Sequence, residues 1–119
     1  MNEIRRKIKE YTQSLYDECF DKGESVILDE GIELDDFKAS RTFRMSYIRT
    51  IYAKYLKEKG VPLCNIAKRL GMTHSTLSTH LSSFEDNCKY IPEFRELAVD
   101  LIRKFKLKDI ENGIQETTI

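Results

Sequence analysis

The chain has 119 residues, of which 40% are hydrophobic and twelve are Phe or Tyr, a globular composition for one domain and not a disordered one. No apolar run approaches the ~20 residues needed to span a bilayer, and "MNEIRRKIKEYTQ" lacks an apolar signal region, so the expected compartment is cytoplasmic. The formal net charge of zero conceals an asymmetry: residues 1–37 carry five basic and eleven acidic groups (−6), residues 38–82 nine basic and one acidic (+8), residues 83–119 six and eight (−2).

Sparse Gly and Pro, with no run alternating at period two, predict an all-α fold of about five helices. The first spans residues 2–21, where Ile4, Ile8, Tyr11, Leu15 and Cys19 form one apolar stripe and Gly23 is the expected stop. The stripe is expected to pack on the domain's own core. The acidic run "ESVILDEGIELDD" follows, in which Ser25 to Leu28 fit either a short helix or an extended segment; this run could fold over the basic middle. A helix at about 44–59 presents Met45, Ile48, Ile51, Tyr52, Tyr55 and Leu56, and Gly60 and Pro62 end it. The next, about 63–70, places Leu63, Ile66, Ala67 and Leu70 on one face before Gly71. Thr73 is the N-cap of a further helix, 73–88, with Leu77, Leu81, Phe84 and Cys88 in line. Pro92 opens the last helix, whose stripe is Phe94, Leu97, Ala98, Leu101, Ile102 and Phe105. The expected organisation is an N-terminal helix and acidic segment (1–37), a helix-turn-helix domain (38–108) and a frayed tail (109–119).

The segment "AKRLGMTHSTLSTHL" carries the functional signal. Two helices joined at Gly71 make a helix-turn-helix layout, with Ala67 small where they touch and Ile66, Leu70, Met72 and Leu77 turned to a third helix. The outward residues of the second helix are His74, Ser75, Ser78, Thr79 and Ser82, short and uncharged, a face that fits a major groove ~12 Å wide. Lys68 and Arg69 flank it for phosphates, and the helix's free N–H groups suit an anion.

Residues 41–105 resemble the C-terminal duplex-binding domain of the bacterial replication initiator DnaA. "MTHSTLSTH" supplies His74, Ser75, Thr76 and Leu77 in the order of that family's Asp-His-Ser/Thr-Thr-Val signature. "RTFRMSYIRTIYAKYL" resembles its basic loop and first helix, and "FRELAVDLIRKF" its closing helix. The resemblance implies major-groove contacts from His74, Ser75 and Thr76 and a minor-groove arginine at Arg44 or Arg41. It also implies a regulatory or replication-accessory role, a mobile element being one setting. Thr73 stands where the signature has its acid, the turn is about one residue shorter, and no Gly-x-x-x-x-Gly-Lys-Ser/Thr run is present. The likeness is therefore to a stand-alone DNA-binding domain without the nucleotide-binding module.

Rival chemistries find less material. Cys64, His74, His80 and Cys88 lack the close spacing of zinc ligands, and His80 reads as a half-buried packing residue. Cys19, Cys64 and Cys88, an odd and scattered set, read as reduced and partly buried. No nucleophile elbow is present, and Asp35–Asp36 and Glu85–Asp86 read as solvated pairs. The expected function is non-enzymatic binding of double-stranded DNA through Arg41, Arg44, Lys68, Arg69, Thr73, His74, Ser75, Thr76, Ser78 and Thr79, with no metal or cofactor. The alternative is a protein-interaction or self-association module using residues 2–21.

Overall fold

The computed structural model describes the backbone of residues 2–117 and the side chains of residues 2–110. The described chain is all-helical, with seven helices: α1 (Asn2–Asp29), α2 (Leu34–Ala39), α3 (Phe43–Glu58), α4 (Leu63–Leu70), α5 (His74–Ser82), α6 (Phe84–Tyr90) and α7 (Pro92–Thr117). Helix α7 runs through the tail expected to fray, as far as Thr117; the side chains beyond Ile110 lie outside the described residues.

Helix α3 is the axis of the core. Ile48, Ile51, Tyr52, Ala53 and Leu56 are all but inaccessible, and they meet Ile66, Leu70, Leu77, Phe94 and Phe105 from the surrounding helices. Its far end is tied to α7, where the Tyr55 hydroxyl donates to the Asp109 carboxylate and Lys59 pairs with the same group at 2.6 Å. Phe20, Val26, Ile27 and Phe37 join the same buried cluster, so α1 and α2 are built into the core.

Three expectations are corrected. Helix α1 does not stop at Gly23; it continues for six residues to Asp29, with Val26 and Ile27 buried in its last turns. Gly23 serves close approach instead. A Cβ there would lie 2.5 Å from Tyr52 Cε2, so only glycine lets α1 lie against that ring. The true stop is Gly31, in the left-handed region at φ 80°, where the amides of Gly31 and Ile32 donate to the carbonyls of Leu28 and Ile27.

The single helix expected over 73–88 is two. The Ser82 and Ser83 hydroxyls both donate to the Thr79 carbonyl, at 2.8 and 3.2 Å, competing with the helix's own amide there. The chain turns at Ser83, and Phe84 swings edge-on to Phe94 at 5.4 Å.

The apolar stripe of α1 reaches the domain's own core only at Cys19. The fully buried residues of α1 fall between Phe20 and Ile27, with Tyr16 and Cys19 partly buried beside them, while Ile4, Ile8, Tyr11 and Leu15 are 64, 60, 67 and 43% exposed. Cys19 is half-buried where the stripe reaches the body.

Gly23→Ala tests the α1–α3 approach. Helix propensity alone favours Ala by ~1 kcal/mol. The clash with a fully buried ring costs about 1–3 kcal/mol, so the net change should be destabilising. Urea unfolding should show a lowered midpoint at unchanged slope; a raised midpoint would contradict the contact.

Candidate nucleic-acid interface

The segment from Leu63 to Ser82 is held by backbone geometry that its sequence dictates. Gly71 sits at φ 68° and ψ 30°, and the amides of Gly71 and Met72 donate to the carbonyls of Lys68 and Ala67 at 3.3 and 2.9 Å. Only glycine adopts this conformation cheaply, and the paired bonds close the end of α4. Met72 then packs against the core cluster and fixes the angle at which the chain leaves. Thr73 caps α5: its Oγ1 accepts the Thr76 amide at 3.1 Å and donates to the Thr76 hydroxyl at 2.8 Å. Ile66, Ala67, Leu70 and Leu77 are buried between the two helices and α3.

Helix α5 is anchored from behind by His80. Its Nδ1 lies 3.2 Å from the Thr50 hydroxyl, and that hydroxyl also lies 3.0 Å from the Ser46 carbonyl. Thr50 has one proton; with it on the Ser46 carbonyl, His80 Nδ1 is the donor. His80 is thus half-buried and structural, as the sequence predicts.

His74, Ser78, Ser82, Ser75 and Thr79 are all exposed and fall within ~140° of helical arc. They are not equivalent. Thr79 Oγ1 donates to the Ser75 carbonyl at 3.0 Å and Ser82 to Thr79, so those protons are spent on the helix itself. Thr76 is exposed off this arc, and its hydroxyl is engaged by Thr73. His74, Ser75 and Ser78 make no side-chain hydrogen bond among the described residues. They are the uncommitted polar groups of the face, beside the first-turn amides that a helix leaves open.

The basic middle is sorted by the fold. The Arg69 guanidinium donates to both oxygens of Glu24, at 2.9 and 2.8 Å, and lies 5.1 Å from the Phe20 ring centroid. These bonds hold its pKa well above the usual arginine value. Arg69, expected at a phosphate, is therefore bound to α1. Lys38 also pairs with Glu24 at 3.6 Å, Lys54 with Glu58 at 4.0 Å and Lys59 with Asp109. Arg49 donates to the carbonyls of Phe37 and Ser40, at 2.8 and 2.7 Å, closing the end of α2. Among the described residues, Arg41, Arg44, Lys57 and Lys68 alone of the nine have neither an ion pair nor a side-chain hydrogen bond. Of the acidic run, Glu24 takes up Arg69 and Lys38 of the basic middle from inside the fold, and Glu30 pairs with Lys104 of α7.

One residue lacked any expected role. Phe43 is 81% exposed between Arg41 and Arg44, at the first position of α3, backed by Tyr47 at 6.4 Å. An aromatic between two arginines at the entry to a helix is the signal that marks it.

The described residues hold no cluster of three or more His, Cys, Asp or Glu able to hold a metal ion, and no helix long and apolar enough to cross a membrane. Burial pushes the Cys19 and Cys88 thiols up, the reverse of an activated nucleophile, while Cys64 is exposed rather than partly buried.

Comparison with protein-family models, with curated proteins and with solved structures finds no match to the chain. The likeness to the initiator's duplex-binding domain rests on the residues quoted for it.

Neighbours in sequence, Lys68 and Arg69 should separate on truncation. Arg69→Ala leaves the Glu24 carboxylate, which is 6% exposed, with Lys38 alone as a partner. A fully buried broken pair costs ~3–5 kcal/mol; with the Arg69 side chain 36% exposed, about 2 kcal/mol is expected. Lys68→Ala should move stability by less than ~0.5 kcal/mol. Chemical denaturation of both variants checks this, and equal small effects would contradict it.

Proposed function

We propose that this chain binds double-stranded DNA without catalysing a reaction, using α4 and α5 as a helix-turn-helix with α5 in the major groove. The observation that carries the reading is the α5 face: an exposed arc of short, uncharged polar side chains, with His74, Ser75 and Ser78 uncommitted, on a helix whose backbone is locked at both the turn and the cap. Such side chains reach base edges without bringing a net charge into the groove, and a fixed backbone gives their hydrogen bonds direction.

In this reading Lys68 meets phosphate beside the turn. Arg41 and Arg44 approach the duplex from the loop and first turn of α3, with Arg44 or Arg41 in the minor groove. Phe43 between them is an apolar group that can rest against sugar or wedge at a base step. Thr73 and Thr76 hold the start of α5, and their hydroxyls can contact the nearest phosphate. Arg69 acts indirectly, by fixing α4. A role in regulating transcription or replication rests on the family resemblance alone.

The salt dependence of duplex binding is a direct test. Nine free cations would give a slope of log affinity against log salt near −8. With at most four available, the slope should be no steeper than about −3.6. Undetectable binding to a random duplex pool at low salt would refute the reading.

Base and phosphate contacts should separate by variant. Lys68→Ala should weaken all duplexes alike and flatten the slope by about one unit. His74→Ala and Ser75→Ala should cost roughly 1–3 kcal/mol on a selected site and less on scrambled DNA. Binding titrations on both duplexes decide it; variants that match the parent on both would remove α5 as the reading helix.

A further inference from the structure

The first four turns of α1, as far as Leu15, leave their apolar stripe uncovered. The helix is two-faced. On one side Arg6 pairs with Glu3 and Glu10 at 3.8 and 3.9 Å, and Gln13 donates to Asp17 at 3.0 Å. On the other lie Ile4, Ile8, Tyr11 and Leu15, all exposed, with Cys19 at the junction. A lone helix of this length is marginal in water, and surface ion pairs add little to it.

The stripe is symmetric about a point between residues 11 and 12. Ile4 and Cys19 lie equally far from that point, as do Ile8 and Leu15, and Tyr11 sits beside it. Two copies laid antiparallel about this point would set Ile4 against Cys19, Ile8 against Leu15, and the two Tyr11 rings together at the two-fold axis. The charges beside the stripe fit the same pairing, because an antiparallel two-fold brings like flanks together. Lys7 has no ion-pair partner among the described residues and lies on the same flank of the stripe as Glu18, which is exposed and pairs only with Lys22 on its own helix. Antiparallel pairing brings Lys7 within a turn of Glu18 twice; parallel pairing sets the two basic N-terminal segments side by side.

The groove between α6 and α7 is a poorer seat for this helix. It is apolar, with Val99 and Leu107 exposed, but it is edged by Arg95, Arg103 and Lys106, which would face Arg5 and Lys7.

We infer that the occupant of the α1 stripe is the α1 of a second copy, in an antiparallel homodimer centred between residues 11 and 12. The inference is independent of DNA binding.

Cross-linking tests both the pairing and its direction. In a chain with Cys19, Cys64 and Cys88 replaced by Ser, Tyr11→Cys places two thiols about 1.5 Å apart along the axis of the pair, and oxidation should yield a covalent dimer. Ile4→Cys places them about 22 Å apart and should yield none. The parent should sediment at twice 14.0 kDa. Ile8→Glu with Leu15→Glu should raise the dissociation constant by more than about 100-fold. Those positions are exposed in the monomer, so its melting is the control for folding. Lys7→Glu should weaken the dimer, and Lys7→Glu combined with Glu18→Lys should restore it. A monomeric parent, cross-linking of both cysteine variants, or failure of the charge exchange to restore pairing would each overturn the inference.

Discussion

Glu24 is a carboxylate placed where water scarcely reaches it, and the arrangement of the N-terminal half follows from what must be done about that. An ionised group at such a site is tolerated only when paired and hydrogen-bonded. Arg69 meets it with two parallel bonds and Lys38 with a third contact, so one side chain from α1 joins α4 and α2. The guanidinium is itself steadied by the Phe20 ring one turn earlier on α1. A planar, bidentate donor is what such a carboxylate requires, and lysine could not replace it. The pair sets the orientation of α4, and α4 carries the turn that launches α5.

That constraint also governs the electrostatics. A segment that reads as +8 keeps few of its cations for a ligand, because the fold pairs Arg69, Lys38, Lys54 and Lys59 with carboxylates and Arg49 with carbonyls. What remains is sparse and placed at the loop before α3 and beside the turn after α4. Binding by such a surface would depend less on bulk charge than on the fit of the α5 face. The discriminating groups would be neutral hydroxyls and one imidazole, held by Thr73, Gly71 and the His80–Thr50 contact behind them.

The helices from α3 to α5 were legible in the sequence because their signals are local. Glycine at Gly71, a threonine cap at Thr73 and apolar residues at spacings of three and four each act within a turn or two. Less legible were the features set by distant partners. Gly23 has the form of a stop, and only the Tyr52 ring, 29 residues on, makes it a point of contact inside a longer helix. The uncertain Ser25 to Leu28 segment is helical because Val26 and Ile27 have a core to enter. The break at Ser83 depends on two hydroxyls competing for one carbonyl, a contest that an apolar stripe does not record. At the candidate site, the exposed face of α5 was readable. The engagement of Arg69 was not, since its partner lies 45 residues away. The α1 stripe is legible in the sequence, but periodicity shows that a face is apolar, not what covers it.

The central claim is that the α5 face contacts DNA, and the most direct measurement is an amide and side-chain NMR titration of the intact chain with a selected duplex. Shifts should concentrate at His74, Ser75 and Ser78, with a second group at Arg41 to Arg44 and a third at Lys68, while Ile4 to Leu15 stay in place. Shifts confined to α1 or α7, or none on α5 at saturating duplex, would contradict it.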